Sequence, residues 1–267
     1  MNHCHISLCC NELPFLKQKL PFLYKIFFQI IIIDYDIKSQ QNSTDGSIDY
    51  IKNFNDPLNK ITLIDNFDPN KIKKYFGHSM VDKQKMFSCM SSYIKDDIDL
   101  VWATDMDEFF DEKLINNVIK LYAEDNDLIS IDVPHICFCY NQFNIFNLGL
   151  FYIKPRITRH KKGRIYGHCN FDTYGKTLKI KTDFLYHFSY VGFKRCQHKL
   201  FLFNNKTTSK HMEDEWLNAY LKHLKDNDKY VKLIHPGSKK GCSKYNGNYP
   251  EYIDIENMIN ELNYITN

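Results

Sequence analysis

The sequence predicts an α/β protein built on a mostly parallel sheet flanked by helices. Three observations predict it. Short β-branched or apolar runs alternate with longer stretches of helical spacing through the first half of the chain. These runs end in polar residues: Asn11, Asp34, Asp36, Asp105 and Asp107 all fall at such ends, and open parallel sheets bind ligands beyond the carboxyl ends of their strands. The second half loses this rhythm. From Phe138 to Lys181 it is rich in aromatic, glycine and basic residues with weak periodicity, which predicts an irregular C-terminal region.

Taken in order, His5 to Cys10 reads as a first strand with the polar end Asn11-Glu12. Leu13 to Phe27 has mixed helical spacing; Pro14 suits a first turn, whereas Pro21 predicts a kink. Gln29 to Ile33 is a β-branched run expected to be buried, ending at Asp34-Tyr35-Asp36. Asn42-Ser43-Thr44-Asp45-Gly46-Ser47 is dense in cap and turn residues, and a helix from Ser47 to Phe54 follows. Ile61 to Ile64 is a third strand, Met80 to Ile94 a helix, and Ile98 to Ala103 the strand that carries the two aspartates. Leu114 to Tyr122 and Glu213 to Leu224 read as helices, Leu128 to Val133 and Asp183 to Phe188 as strands, with His187 toward the end of the latter. There is no repeat and no firm boundary, so one domain spanning residues 1–267 is expected.

The chain has 267 residues, enough to bury a substantial core; 43% are hydrophobic and 25% charged. A formal charge of +3 without a basic block argues against nucleic acid as a partner. The nine cysteines are scattered and lack zinc-knuckle spacing, which predicts reduced, buried thiols. The apolar run Pro21 to Ile33 is broken by Lys25 and Gln29 and is too short to span a bilayer. No basic region followed by an apolar stretch opens the chain. The expectation is a soluble, cytoplasmic protein without a signal peptide or transmembrane segment.

Asp105-Met106-Asp107-Glu108 follows an apolar strand directly. Two carboxylates one residue apart at a strand end can converge on a hard divalent cation, which prefers oxygen ligands. The ordinary alternative is a solvated turn whose acids, Glu108, Asp111 and Glu112, favour the start of the next helix. A calcium loop is excluded, because Phe110 and Asn116 occupy the positions that need Gly and Glu. A phosphatase with an aspartate nucleophile also uses Asp-x-Asp after a strand, but on the first strand and followed by Thr or Val.

The order of these motifs resembles the GT-A fold glycosyltransferases, family 2 type. The motifs are Cys9-Cys10-Asn11-Glu12, the acids Asp34 and Asp36 before Asn-Ser-Thr-Asp-Gly-Ser, Lys83-Gln84-Lys85, Asp105-Met106-Asp107-Glu108 and the late His187. The likeness covers residue 6 to about residue 205. It implies a Rossmann-like GT-A sheet with an acceptor-side C-terminal region, a nucleotide-sugar donor (a UDP-sugar being favoured), and Mn²⁺ or Mg²⁺ on its diphosphate. Asp107 is then the main metal ligand, with Asp105 on the ribose or on the metal's water. Cys10, Asn11, Glu12, Asp36, Lys83 and Met106 line the nucleotide. The extra residues Ile37 to Gln41 leave open whether Asp34 or Asp36 faces the base.

His187, in Leu-Tyr-His-Phe-Ser-Tyr, matches the late histidine that completes the metal site in related transferases, and His235 is its competitor. Inverting transferases need a carboxylate base near the acceptor hydroxyl. The corresponding stretch here, Gly167 to Asp172, has His168 but lacks the expected glutamate. Asp172 is the substitute, with Glu213 and Asp214 as the alternative. The expected reaction is transfer of a hexosyl-type sugar to a hydroxyl of a glycan, protein or lipid. An Asp-nucleophile phosphatase and a non-catalytic nucleotide-sugar-binding relative are the rival functions.

Overall fold

The computed structural model describes residues 1–36, 40–71, 81–146, 151–152, 156–166, 175–192, 195 and 242–264. In chain order its elements are β1 (His3–Cys9), α1 (Leu13–Ile26), β2 (Gln29–Asp34), α2 (Ser47–Lys52), β3 (Ile61–Ile64), α3 (Val81–Ser91), β4 (Leu100–Ala103), β5 (Glu108–Phe109), α4 (Glu112–Glu124), β6 (Leu128–Asp132), β7 (Pro134–Phe146), β8 (Phe151–Tyr152), β9 (Ile157–Arg159), β10 (Lys176–Lys179), β11 (Leu185–Val191), β12 (Cys242–Lys244) and α5 (Ile255–Tyr264). They fall into two compact units. The first comprises Met1–Met106, Phe110–Pro134 and Tyr152–Phe184; the second comprises Asp107–Phe109, His135–Phe151 and Leu185–Asn267.

The first unit holds a sheet of order β10-β6-β9-β4-β1-β2-β3. β3, β2, β1 and β4 run parallel, β10 is parallel to β6, and β9 is antiparallel to both its neighbours. The expected mostly parallel α/β sheet is what forms. All six residues of β2 are buried, as a β-branched strand covered on both faces requires. Alternate residues of β1 divide between the two faces. Cys4 and Ile6 join Ile31, Ile33, Val101 and Ala103 in a core with Met86, Phe87 and Met90 of α3. His3 and His5 instead meet an aromatic cluster of Phe27, Trp102 and Phe110, and Phe22 of α1 packs edge-on to Phe110.

α1 continues through Pro21, the residue at which the sequence suggested a kink, as one helix from Leu13 to Ile26. The lost backbone hydrogen bond is offset by burial of Leu20, Phe22 and Leu23 around it. α4 buries Leu114, Ile115, Val118 and Tyr122 along one stripe, and Asp111 caps its start by accepting the Leu114 N–H at 2.9 Å. Glu108 is not part of this cap. It is fully buried in β5.

The second unit holds a sheet of order β12-β7-β11-β5, with β7 parallel to β11 and the other two pairings antiparallel. The long β7 was not anticipated. Its aromatic core includes Phe138 stacked on Phe188 at 4.4 Å and Phe109 edge-on to Phe188 at 5.6 Å. Gly192 adopts φ +85°, and a Cβ there would sit 3.2 Å from Leu262 Cβ, so the chain needs glycine as it leaves β11. β11 extends to Val191, which places His187 inside the strand and not at its end as expected. Among the described residues, no helix is long and apolar enough to cross a membrane.

Candidate active site

In the first unit the carboxyl ends of β1 and β2 are tied to the Asn42–Ser47 loop. Asn11 adopts the left-handed φ of 52°, which asparagine tolerates better than most residues. That turn lets its backbone N–H donate to Ser43 Oγ at 2.7 Å while its Oδ1 accepts the Thr44 N–H at 2.8 Å. Asp34 Oδ1 accepts the Ser43 N–H at 2.6 Å. Asp45 accepts from Ser47 through Oδ1 and from the Leu13 N–H through Oδ2 at 2.8 Å, so one carboxylate joins the starts of α1 and α2.

Asp34 is fully buried. Burial raises its carboxyl above the ordinary range, and the Ser43 hydrogen bonds only partly oppose that. Asp36, two residues on, donates its backbone N–H to the Gln41 carbonyl at 2.6 Å. Cys10 is half-buried and Glu12 buried beside Asn11, with the Glu12 carbonyl accepting the Leu16 N–H at 2.9 Å.

At the end of β4, Asp105 is clasped from two directions. Lys83 of α3 places Nζ 2.7 Å from Asp105 Oδ2, a pair whose side chains are only 15% and 13% exposed. Lys19 of α1 is fully buried and donates to the Asp105 carbonyl at 2.6 Å and to Thr104 Oγ1 at 2.9 Å. His5 Nε2 also meets Thr104 Oγ1 at 2.7 Å, and Ser7 Oγ donates to the Thr104 carbonyl at 2.7 Å. Met106 is fully buried.

In the second unit Asp107 is fully buried. Its Oδ2 accepts from Arg195 Nη2 at 2.5 Å and from Ser189 Oγ at 3.0 Å. His187 Nε2 lies 3.6 Å from Asp107 Oδ2 and 3.9 Å from Glu108 Oε1, and it hydrogen-bonds to Ser189 Oγ. Since the Ser189 proton goes to Asp107, the imidazole donates and the hydroxyl relays between them. Burial favours neutral His187. The Asp107 charge and hydrogen bond, Cys137 at Nδ1 and the Glu108 charge together outweigh that and push it up to about 10. His135 Nε2 stands 3.6 Å from Glu108 Oε1, which extends the buried polar group.

Of the residues singled out from sequence, Asn11, Glu12, Asp34 and Asp105 with Lys83 lie at the ends of the adjacent parallel strands β2, β1 and β4 or on α3 beside them. Asp107 and His187 meet in the second unit. Asp172, His168, Glu213, Asp214 and His235 lie outside the described residues, as does the helix expected over Glu213 to Leu224. Sequence reasoning missed Lys19, Ser189 and Arg195. Lys19 had a signal, a lysine three and four residues from the apolar Leu16 and Phe15 on a helix. Ser189 had another, standing two residues from His187 on a strand and so facing the same way. Arg195 had none.

Asp107 offers an oxygen donor of the kind Mn²⁺ or Mg²⁺ prefers, and His187 would add a nitrogen donor only as a bound cation displaced its proton. Among the described residues, no group of three or more His, Cys, Asp and Glu side chains is arranged to hold a metal ion. A two-donor site fits a cation that completes its shell from substrate phosphates and water; it does not fit an all-protein cage.

No protein-family model matches the chain, and no curated protein matches it. Among solved structures, residues 1–349 of TarS from S. aureus are similar over 84% of this chain and 72% of that one, at 14% identity and a TM-score of 0.40. The 4-diphosphocytidyl-2C-methyl-D-erythritol synthase of Anaerococcus prevotii is similar over 83% of this chain and 98% of that one, at 10% identity and a TM-score of 0.37. Likeness at this level fixes neither activity, substrate nor metal for this chain.

Proposed function

We propose that the protein is a metal-dependent glycosyltransferase, moving a sugar from a nucleotide-sugar donor, with a UDP-sugar favoured, to a hydroxyl of a glycan, protein or lipid. One observation carries this reading. The ends of β2, β1 and β4 bring an acid pair, a turned asparagine and a lysine-clasped aspartate to one edge of a parallel sheet, where such sheets bind nucleotides.

Cys10, Asn11, Glu12 and Met106 border the nucleotide in this reading. Asp34 is engaged by Ser43, which supports Asp36 as the acid that faces base or ribose. Lys83 orients Asp105 toward the ribose and adds positive charge for the diphosphate. Asp107 and His187 are the residues that would hold Mn²⁺ or Mg²⁺, and the bound cation would neutralise the charge that builds on the leaving diphosphate. Arg195 and Ser189 fix the Asp107 carboxylate.

In the transfer, the bond from the sugar C1 to the diphosphate oxygen breaks and the acceptor oxygen bonds to C1. The acceptor proton passes to a carboxylate, for which Asp172 is the candidate and Glu213 or Asp214 the alternative.

Thermal unfolding with UDP, with and without Mn²⁺, tests the reading, followed by a donor-hydrolysis screen. Ligand at about a hundredfold over Kd stabilises by about 2.7 kcal/mol. Absence of Mn²⁺-dependent stabilisation by every nucleoside diphosphate sinks it. Binding without hydrolysis or transfer would identify a non-catalytic relative, and phosphate covalently bound to Asp105 a phosphatase.

A further inference from the structure

Lys19 is an expensive residue for its place. A lysine that loses all contact with water gives up the solvation of its ammonium, and apolar residues of similar length fill such positions on a helix at no such cost. Yet Lys19 is fully buried on the inner face of α1, among Phe15, Leu16, Leu20 and Leu23. Its ammonium reaches the end of β4. Nζ donates to the Asp105 carbonyl at 2.6 Å and to the Thr104 hydroxyl at 2.9 Å, and it lies 5.6 Å over the Phe110 ring. The neighbouring His5 shares Thr104 Oγ1 and is held neutral, first by burial and then by the Lys19 charge. Of these two buried basic groups, the lysine reaches both the Thr104 hydroxyl and the Asp105 carbonyl.

We infer that Lys19 is a positioning residue for Asp105, holding the backbone at the end of β4. The inference rests on the nucleotide-binding reading of that strand end. Lys83 meets the Asp105 carboxylate from the partly open side and Lys19 meets its carbonyl from within, so Asp105 is held at both ends. A carbonyl anchored by a cation cannot rotate to follow the carboxylate, which keeps the side chain aimed for its ligand before the ligand arrives.

The test compares K19M, K19R and L20A with the wild-type protein. L20A truncates a fully buried core residue of the same helix and controls for lost stability. Amide exchange from Ala103 to Met106 is read without any ligand, and the affinity for UDP with Mn²⁺ is read by titration. In K19M, exchange is expected to accelerate at least tenfold over those residues alone, and UDP affinity to fall about tenfold. K19R is expected to recover most of both, and L20A to leave UDP affinity unchanged despite its lower melting temperature.

The inference is overturned if K19M behaves as the wild type does, or if K19M and L20A weaken UDP alike. Should K19M fail to fold, T104V removes one acceptor at nearly constant volume. It must then accelerate exchange about threefold over the same residues; unchanged exchange in T104V refutes the role. If the wild-type protein binds no nucleoside diphosphate, the glycosyltransferase reading fails, and the exchange comparison by itself decides Lys19.

Discussion

Two buried histidines make acid stability a sharp test of this fold. His3 opens β1 at 4% exposure, stacked on Trp102 at 6.0 Å and edge-on to Phe27 at 6.2 Å. Burial, aided by the N-terminal amino group and opposed by Asp99, lowers its pKa from the ordinary 6.5 to about 4. The folded value is thus depressed. As pH falls below 6.5 the unfolded chain takes up a proton that the folded chain refuses until about pH 4, so stability is lost as pH falls through this window. At about 1.4 kcal/mol for each pH unit the loss reaches about 3 kcal/mol. That is a large share of the 5–15 kcal/mol or so that holds a typical domain together. His5 is fully buried with its pKa well below the ordinary value, and it adds a loss of the same sign.

The perturbation is H3F, which keeps a ring for Trp102 and Phe27 but removes the titration. Urea unfolding at steps from about pH 7.5 to about pH 4.5 gives the free energy of each protein. The wild-type curve is expected to fall more steeply than that of H3F, the two converging or crossing as the pH drops, with a difference in slope that integrates to about 3 kcal/mol. Parallel curves would show that His3 carries no such penalty, and the reasoning would be refuted.

The opposite shift predicts the alkaline side. His187 is raised to about 10, so its stabilising contribution is complete below pH 6.5 and is lost as pH rises through about 10; H187F should unfold with little further weakening over that range. K83M should weaken nucleoside diphosphate binding about tenfold by freeing the Asp105 carboxylate from its 2.7 Å partner, and unchanged affinity would remove Lys83 from the site. D45A, which strips acceptors from the starts of α1 and α2, should cost about 2 kcal/mol in urea unfolding. G175A should cost about 2 kcal/mol or more, because φ there is +138° and the new Cβ would lie 2.4 Å from Ile129 Cγ1; a wild-type melting temperature would contradict the packing at β10.

The parallel half of the first sheet was legible because its strands are continuous β-branched or apolar runs, too short for a buried helix and bounded by polar residues. Ile30 to Ile33 are buried to the last atom, and Leu100 to Ala103 nearly so. β7 was not legible. Its residues Tyr140 to Asn144 interleave Asn and Gln with aromatics, so neither alternation nor an apolar run stands out over thirteen residues. β9 and β10 carry three and four residues, too few for a period to register. At the site, residue types were readable and partners were not. Asp34 and Asp36 look equivalent in sequence; the Ser43 amide, nine residues away, separates them. Arg195 reaches Asp107 across 88 positions, and no local pattern announces that.

The polar strand ends therefore serve two purposes that the sequence presents as one. Asn11, Asp34 and Asp45 use their side chains to fasten the Asn42–Ser47 loop. Asp105 and Asp107 instead each carry cationic partners within their own unit, Lys83 and Lys19 for the first, Arg195 and His187 for the second. That difference has a thermodynamic meaning. A buried carboxylate used for bracing meets neutral donors, which only partly oppose the effect of burial, and Asp34 shifts toward its protonated form. A carboxylate that must stay ionised to meet a cation or a ribose has its charge compensated in advance. The Asp105-Met106-Asp107 stretch has cationic partners at both acids, which a solvated turn beginning a helix would not need. The helix start is served by Asp111. This difference in partners is what separates the Asp105–Asp107 stretch from an ordinary solvated helix start.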